Sequence, residues 1–149
     1  MTILITGASG LVGARLVKRL AETGTACRAF VRPGKPVPTG VDGVEGDLFD
    51  PASLAPALRD VSTIIHLAAV FRTQDTELIW KSNVEGTRKL IAAANNNIKE
   101  ARFIMTSTGN VYDRDCAHPG REEDEVHPQQ AYPASKIAAE KLLRESDLN

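Results

Sequence analysis

Three glycines in Gly-x-x-Gly-x-x-Gly spacing, Gly7, Gly10 and Gly13 in TGASGLVG, follow the apolar run Ile3-Leu4-Ile5 near the start of the chain. Glycine is costly inside regular structure, so such a cluster needs a reason. A buried strand that runs into a glycine turn and then a helix supplies one. Gly7 permits the sharp turn, Gly10 lets a diphosphate approach the backbone, and Gly13 lets the helix pack on the strand. The helix start, Leu11 and Val12 included, adds free N–H groups and partial positive charge. The spacing is one residue longer than the common dinucleotide fingerprint. A tight strand-to-helix turn without a ligand is the plainer alternative.

The remaining segments follow the same alternation. Strands are expected at Thr2–Thr6, Ala26–Val31, Val41–Gly46, Val61–Leu67 and Ala101–Thr106, from short β-branched or apolar runs. Helices are expected at Leu11–Thr23, stopped by Gly24, and at Pro51–Asp60, capped by Asp50. Further helices are expected at Glu77–Ala94, with Asn95-Asn96-Asn97 as a frayed end, and at Ala131–Arg144. The prolines at 33, 36 and 38 mark a loop, and the polar stretch 109–130 a longer one. This order predicts a doubly wound parallel α/β sheet with helices on both faces. Ligands in such sheets sit at the carboxyl ends of the strands.

Composition narrows the class. The chain has 149 residues, enough for one core, and a net charge of −1, which gives no reason to expect a nucleic-acid partner. No apolar run is long enough for a membrane helix, and a strand begins too early for a signal peptide. Cys27 and Cys116 are too few for a disulfide framework, which fits reduced thiols in the cytoplasm. No metal site is expected.

Several positions bear on a nucleotide. Strand two ends in Arg28-Ala29-Phe30-Val31-Arg32 without the acid that binds a ribose 2′-hydroxyl in NAD enzymes. Arg32 is either a solvated loop charge or the partner of a 2′-phosphate, which favours NADP over NAD. Asp47 is either a helix-entry turn residue or an acceptor for an adenine amino group, with Leu48 over the ring. His66-Leu67-Ala68-Ala69 ends strand four; its small residues let a nucleotide lie on the backbone, and His66 itself reads as structural.

The chemistry-bearing residues come later. Tyr132 and Lys136 in YPASK stand at i and i+4 of one helix. An ammonium beside a phenol lowers its pKa toward neutral, which suits a general acid or base. A chance surface pair is the alternative. Thr106-Ser107-Thr108 closes strand five, either as strand-end caps or as hydroxyls that hold a substrate oxygen.

Taken in order, the glycine turn, Asp47, HLAA, NVEGT (Asn83 to Thr87), FIMTSTGNVY (Phe103 to Tyr112) and YPASK resemble the extended short-chain dehydrogenase/reductase family, the NAD(P)-dependent epimerase/dehydratases. The resemblance covers essentially the whole chain and implies a Rossmann-like domain over 1–149. It implies Thr108, Tyr132 and Lys136 as the catalytic set, Asn83 near the cofactor, and Lys136 on the nicotinamide ribose. The substrate would be a sugar nucleotide or related small molecule, oxidised or reduced by hydride transfer. A non-catalytic NAD(P)-binding sensor or structural domain is the other reading. The chain departs from the family at Thr108, commonly Ser, and at Asp113, commonly Gly. It is also shorter than the family, which implies a truncated domain without the last strands and most of the substrate pocket. The resemblance further implies a homodimer through the 77–94 and 131–144 helices, where Ile79, Leu90, Ile91, Ile137, Leu142 and Leu143 offer apolar area. Their alternative is burial against their own sheet.

Overall fold

A computed structural model describes residues 1–98, 100–112 and 118–148. Asp113 and Cys116 lie outside the described residues. Five strands, β1 (Thr2–Thr6), β2 (Cys27–Val31), β3 (Asp42–Glu45), β4 (Val61–His66) and β5 (Arg102–Met105), form one sheet in the order β3-β2-β1-β4-β5. Every pairing is parallel. The order reverses beside β1, so a crevice opens between the carboxyl ends of β1 and β4, where Thr6 pairs with His66. This is the expected doubly wound, Rossmann-like arrangement.

Adjacent residues of each strand point to opposite faces, and in the central strands β1, β2 and β4 both faces are largely apolar, whereas the edge strands β3 and β5 are partly exposed. Leu4, Phe30, Ile64 and Phe103 pack under α2 (Pro51–Ala57), α4 (Gly86–Asn97) and α5 (Ala131–Arg144). Ile5, Ala29 and Val31 pack under α1 (Leu11–Glu22) through Val17.

Strand and helix ends differ from expectation by a residue or two, except at two places. Helix α2 stops at Ala57 rather than Asp60, because Asp60 takes φ 59° to turn into β4. Its start is as expected, with Asp50 Oδ1 accepting from Ala52 N–H at 3.0 Å. The helix expected at Glu77–Ala94 runs instead from α3 (Thr76–Trp80) through a π-helical turn, Lys81–Glu85, into α4. Asp75 caps its start by accepting from Leu78 N–H at 2.9 Å. The three asparagines are not frayed. They complete α4, and Asn97 Nδ2 donates to Ala93 O at 2.6 Å. A π turn has no propensity signature, so nothing in the local sequence announces it.

Five of the six apolar residues expected to offer a dimer face turn inward, and the sixth, Ile137, lines a cleft beside Glu140. Ile79, Leu90 and Ile91 are buried in their own chain, and Leu142 and Leu143 pack against the same core cluster. No helix among the described residues is long and apolar enough to cross a membrane.

Gly13 gives a test of the packing. On helix propensity alone, Gly13→Ala gains about 1 kcal/mol. An added β-carbon, however, stands 2.8 Å from Ala8 Cα and 2.9 Å from the Gly7 carbonyl carbon. These are backbone atoms, so the strain of overpacking, about 1–3 kcal/mol, wins. Urea unfolding is expected to show Gly13→Ala less stable than wild type; equal or greater stability contradicts the close packing of α1 on the turn.

Candidate functional site

The glycine turn brings β1 flush against the exit of β4. Gly7 has φ 70°, and a β-carbon there would lie 2.7 Å from Ala68 N. Gly10 N–H closes the turn on Gly7 O at 3.0 Å. The first helical N–H groups, Leu11, Val12 and Gly13, have no backbone partner among the described residues, and Gly10 supplies no side-chain cap. Leu11 and Val12 are 76% and 63% exposed beside them. Free donors next to uncovered apolar side chains suit a ligand with an anionic part and a flat apolar part.

A cleft of ≈ 390 Å³ opens over this turn. Gly7, Gly10, Leu11, Val12 and Gly13 form one side, and Leu67, Ala68 and Ala69 another. Arg32, Asp47 and Leu48 stand at its far end. These residues were all expected at a nucleotide. Asp47 Oδ1 accepts from Phe49 N–H at 2.9 Å in a turn before α2, which fits its reading as a helix-entry turn residue, and the residue also lines the cleft. Ser9, Phe49, Val70, Phe71 and Ser82 also line it and were not anticipated. Two cations, Lys81 and Lys89, lie 5.5 and 5.8 Å from the Phe49 ring centre, on helical residues distant in sequence.

Asn83 has another place than expected. It is buried, and its amide faces protein. Oδ1 accepts from Val70 N–H at 2.7 Å, while Nδ2 donates to Val70 O and Ser135 Oγ, each at 3.0 Å. Ser135 Oγ donates in turn to Tyr132 O at 2.7 Å. The π turn thus aims one side chain at both the post-β4 loop and the first turn of α5.

His66 is structural, as read, and its neighbours fix its tautomer. Thr87 Oγ1 donates to Asn83 O, a pure acceptor, at 2.6 Å. Thr87 can then only accept from His66 Nε2 at 2.9 Å, so Nε2 carries the proton. Nδ1 is left to accept from Thr6 Oγ1 at 2.6 Å, and Ala68 N–H donates to Thr6 Oγ1 at 3.3 Å. One directional chain therefore ties Ala68, β1, β4 and α4 together. Burial, with the Lys136 charge adding to it, lowers the His66 pKa to about 3.

Tyr132 and Lys136 share α5, but the expected lowering of the phenol pKa is not found. Burial pushes the Tyr132 pKa up instead, because phenolate loses its hydration, and no hydrogen bond joins the two residues. Tyr132 is therefore a neutral hydroxyl. Burial pushes the Lys136 pKa down, opposed by Glu140. Lys136 is only 3% exposed, yet its ammonium has no ion pair or hydrogen bond among the described residues. The ammonium is not fully enclosed, since the sealed side-chain atom without a partner among the described residues is Asn95 Oδ1, so its N–H groups are free to meet a ligand hydroxyl.

Thr108 is not brought into one cleft with Tyr132. Its Oγ1 accepts from Asn110 N–H at 3.3 Å, capping the short turn Gly109–Val111. It lines a separate cleft of ≈ 390 Å³ with Ser107, Ile137 and Glu140. Ser107 Oγ donates to Glu140 Oε1, and Arg144 Nη2 donates to Glu140 Oε2 at 2.7 Å. Glu140 follows Lys136 at i+4, a spacing that could have flagged it.

The His66 chain has a measurable pH signature. The unfolded chain takes up a proton near the ordinary histidine pKa of about 6.5, and the folded chain only near 3. The stability that His66 contributes is thus full above about 6.5 and is lost as the pH falls toward 3. His66→Gln keeps a donor and an acceptor but does not titrate. Urea unfolding across this range is expected to show a shallower acid decline for His66→Gln than for wild type; equal slopes contradict a buried neutral imidazole.

Comparison with known proteins follows the same pattern. The profile of the NAD dependent epimerase/dehydratase family matches residues 3–148. A D-erythronate dehydrogenase of Cupriavidus necator is 30% identical, over 96% of this chain and 49% of that protein. A short-chain dehydrogenase/reductase superfamily protein of Agrobacterium tumefaciens, solved with bound NAD, superimposes with a TM-score of 0.86 at 32% identity, over 99% of this chain and 47% of that one. MoeE5, solved with UDP-glucose and NAD, gives a TM-score of 0.84 at 30% identity, over 95% of this chain and 48% of that one. The chain spans about half the length of these proteins. With this match over nearly every residue, on a parallel sheet with a glycine turn at its switch point, the chain belongs to the NAD dependent epimerase/dehydratase family of the short-chain dehydrogenase/reductase superfamily.

Proposed function

We propose that residues 1–149 are the dinucleotide-binding part of an NAD(P)-dependent oxidoreductase or epimerase that acts on a hydroxyl or carbonyl carbon of a sugar nucleotide or related small molecule. The observation that carries the reading is Lys136: a nearly buried lysine whose ammonium makes no ion pair or hydrogen bond among the described residues, on the same helix as Tyr132, together with a glycine turn that has free N–H donors. The diphosphate would sit on the N–H groups of Leu11, Val12 and Gly13, and the adenine near Asp47 and Leu48. Lys136 would hold the nicotinamide ribose, and Leu67, Ala68 and Ala69 would line the path between. Asn83 would act by holding the Val70 loop against α5. The NAD in the Agrobacterium neighbour and in MoeE5, with UDP-glucose in the latter, supports the ligand class.

Bound, the dinucleotide supplies the hydride acceptor or donor. The chain's own residues move the proton and fix geometry. Tyr132, a neutral phenol, would give its proton to the substrate oxygen in the reducing direction. Lys136 would stabilise the phenolate that remains, an effect felt only once both groups face the same bound ligand. Thr108 would hold the same oxygen by donating its O–H, which acceptance from Asn110 N–H leaves available. The setting is cytoplasmic on this reading. A preference for NADP over NAD is included on Arg32 and on the absence of an acid at the end of β2; the neighbours' NAD weighs against it.

A titration of the chain with NADPH and NADH, followed by Trp80 fluorescence, tests this. Both are expected to bind, NADPH more tightly. Lys136→Ala is expected to weaken both by roughly tenfold or more, and Arg32→Ala to weaken NADPH alone. Tighter NADH would remove the Arg32 assignment; no binding of either would remove the proposed function.

A further inference from the structure

Beyond Tyr132 lies a second cleft, of ≈ 800 Å³, distinct from the nucleotide cleft and sharing only Phe71 with it. A row of contacts leads into it. The Tyr132 and Phe71 rings are 5.9 Å apart, and the Arg72 guanidinium carbon stands 5.2 Å over the Phe71 ring. Phe71 is 53% exposed, so its ring is open to the cleft.

Arg72 is held oddly. Among the described residues, only Arg72 and Asp60 adopt positive φ without being glycine, both at 59°. Asp60 lies in the turn into β4, where aspartate is common. A long side chain in this region costs about 1–2 kcal/mol, and glycine would make the same turn without that cost. Strain of this kind is kept where a side chain must point somewhere particular.

The lining chemistry says where. Arg72 is the one charged residue among those described around the cleft, and no carboxylate accompanies it. It makes no ion pair among the described residues. The rest of the polar lining is amide and hydroxyl: Gln74, Asn110 and Gln130, with Thr73 and Thr76. A guanidinium resting on an aromatic face keeps its in-plane N–H fork free for a carboxylate or phosphate. Carboxamides and hydroxyls both donate and accept, so they match a substrate's own hydroxyls.

We propose that this cleft binds a small hydroxylated anion, with Arg72 pairing its carboxylate or phosphate while a hydroxyl-bearing carbon faces Tyr132. The assignment rests on the reading of Tyr132 as the proton-transferring group, and it narrows the substrate to an anionic class.

Three probes with one carbon skeleton separate the alternatives: glycerate, glycerol 3-phosphate and glycerol, each titrated into the chain at constant ionic strength, with and without NAD. The readouts are the Arg72 Nε–H and Tyr132 ring resonances in NMR spectra. Either anion is expected to shift both sets, and glycerol neither; the tighter anion identifies carboxylate or phosphate as the natural group. Arg72→Gln is expected to weaken the anion roughly tenfold or more, and Arg59→Gln, on the exposed surface, to leave it unchanged. Equal shifts with glycerol, undiminished binding by Arg72→Gln, or no shift with either anion overturns the proposal. If NAD binds and the anions do not, this site fails while the proposed function stands. If anions shift Arg72 and no dinucleotide binds, the site stands and the function fails.

Discussion

Everything at the candidate site depends on how closely the glycine turn approaches the backbone leaving β4. At Gly7 the distance from a would-be β-carbon to Ala68 N is 2.7 Å, so no side chain fits between these two segments. The contact brings the free N–H groups of α1 beside Leu67, Ala68 and Ala69, and so makes one cleft of two strand ends. Any residue with a side chain at Gly7 would push the post-β4 loop away. That loop carries Val70, Phe71 and Arg72, and its displacement would reach both clefts.

Two polar tethers hold that loop from behind. One runs through Thr6, His66 and Thr87 to the Asn83 carbonyl; the other runs from the Asn83 amide to Val70 and Ser135. Both meet at Asn83 in the π turn. Buried polar groups in such chains are expensive unless every member is satisfied. Here His66, Thr6, Thr87, Asn83 and Ser135 all find partners. Among the described residues the enclosed side-chain atom without a partner is Asn95 Oδ1, whereas the Lys136 ammonium makes no ion pair or hydrogen bond there yet is not sealed from the surface, which leaves it open to a ligand.

The sheet was legible because its central strands are largely buried on both faces and read as apolar runs, and because Gly24, Asp50 and Pro51 punctuate the helices by local chemistry. Most residues lining the nucleotide cleft were legible for a similar reason: they follow a strand end or open the helix after the glycine turn, positions that order alone reveals, whereas Ser82 comes from the π turn and was not. What could not be read depends on side chains meeting across the fold. The pairing of His66 with Thr87 joins positions 21 apart, and that of Ser107 with Glu140 positions 33 apart. The phenol shift was misjudged because the i,i+4 spacing of Tyr132 and Lys136 shows neither the burial of the ring nor the lack of contact between the two groups. Thr108 was placed with Tyr132 on the strength of the resemblance, whereas the turn it caps holds it in another cleft. The inward packing of Ile79, Leu90 and Ile91 likewise follows from three-dimensional neighbours rather than from helical periodicity.

The central claim is that the glycine turn and the unpartnered Lys136 are two ends of one dinucleotide site. A crystal structure of the chain grown with NAD tests it directly. The account predicts the diphosphate on the N–H groups of Leu11, Val12 and Gly13, with Lys136 Nζ in hydrogen-bond contact with the nicotinamide ribose. A dinucleotide bound elsewhere, or one on the turn with Lys136 still without a partner, would contradict it.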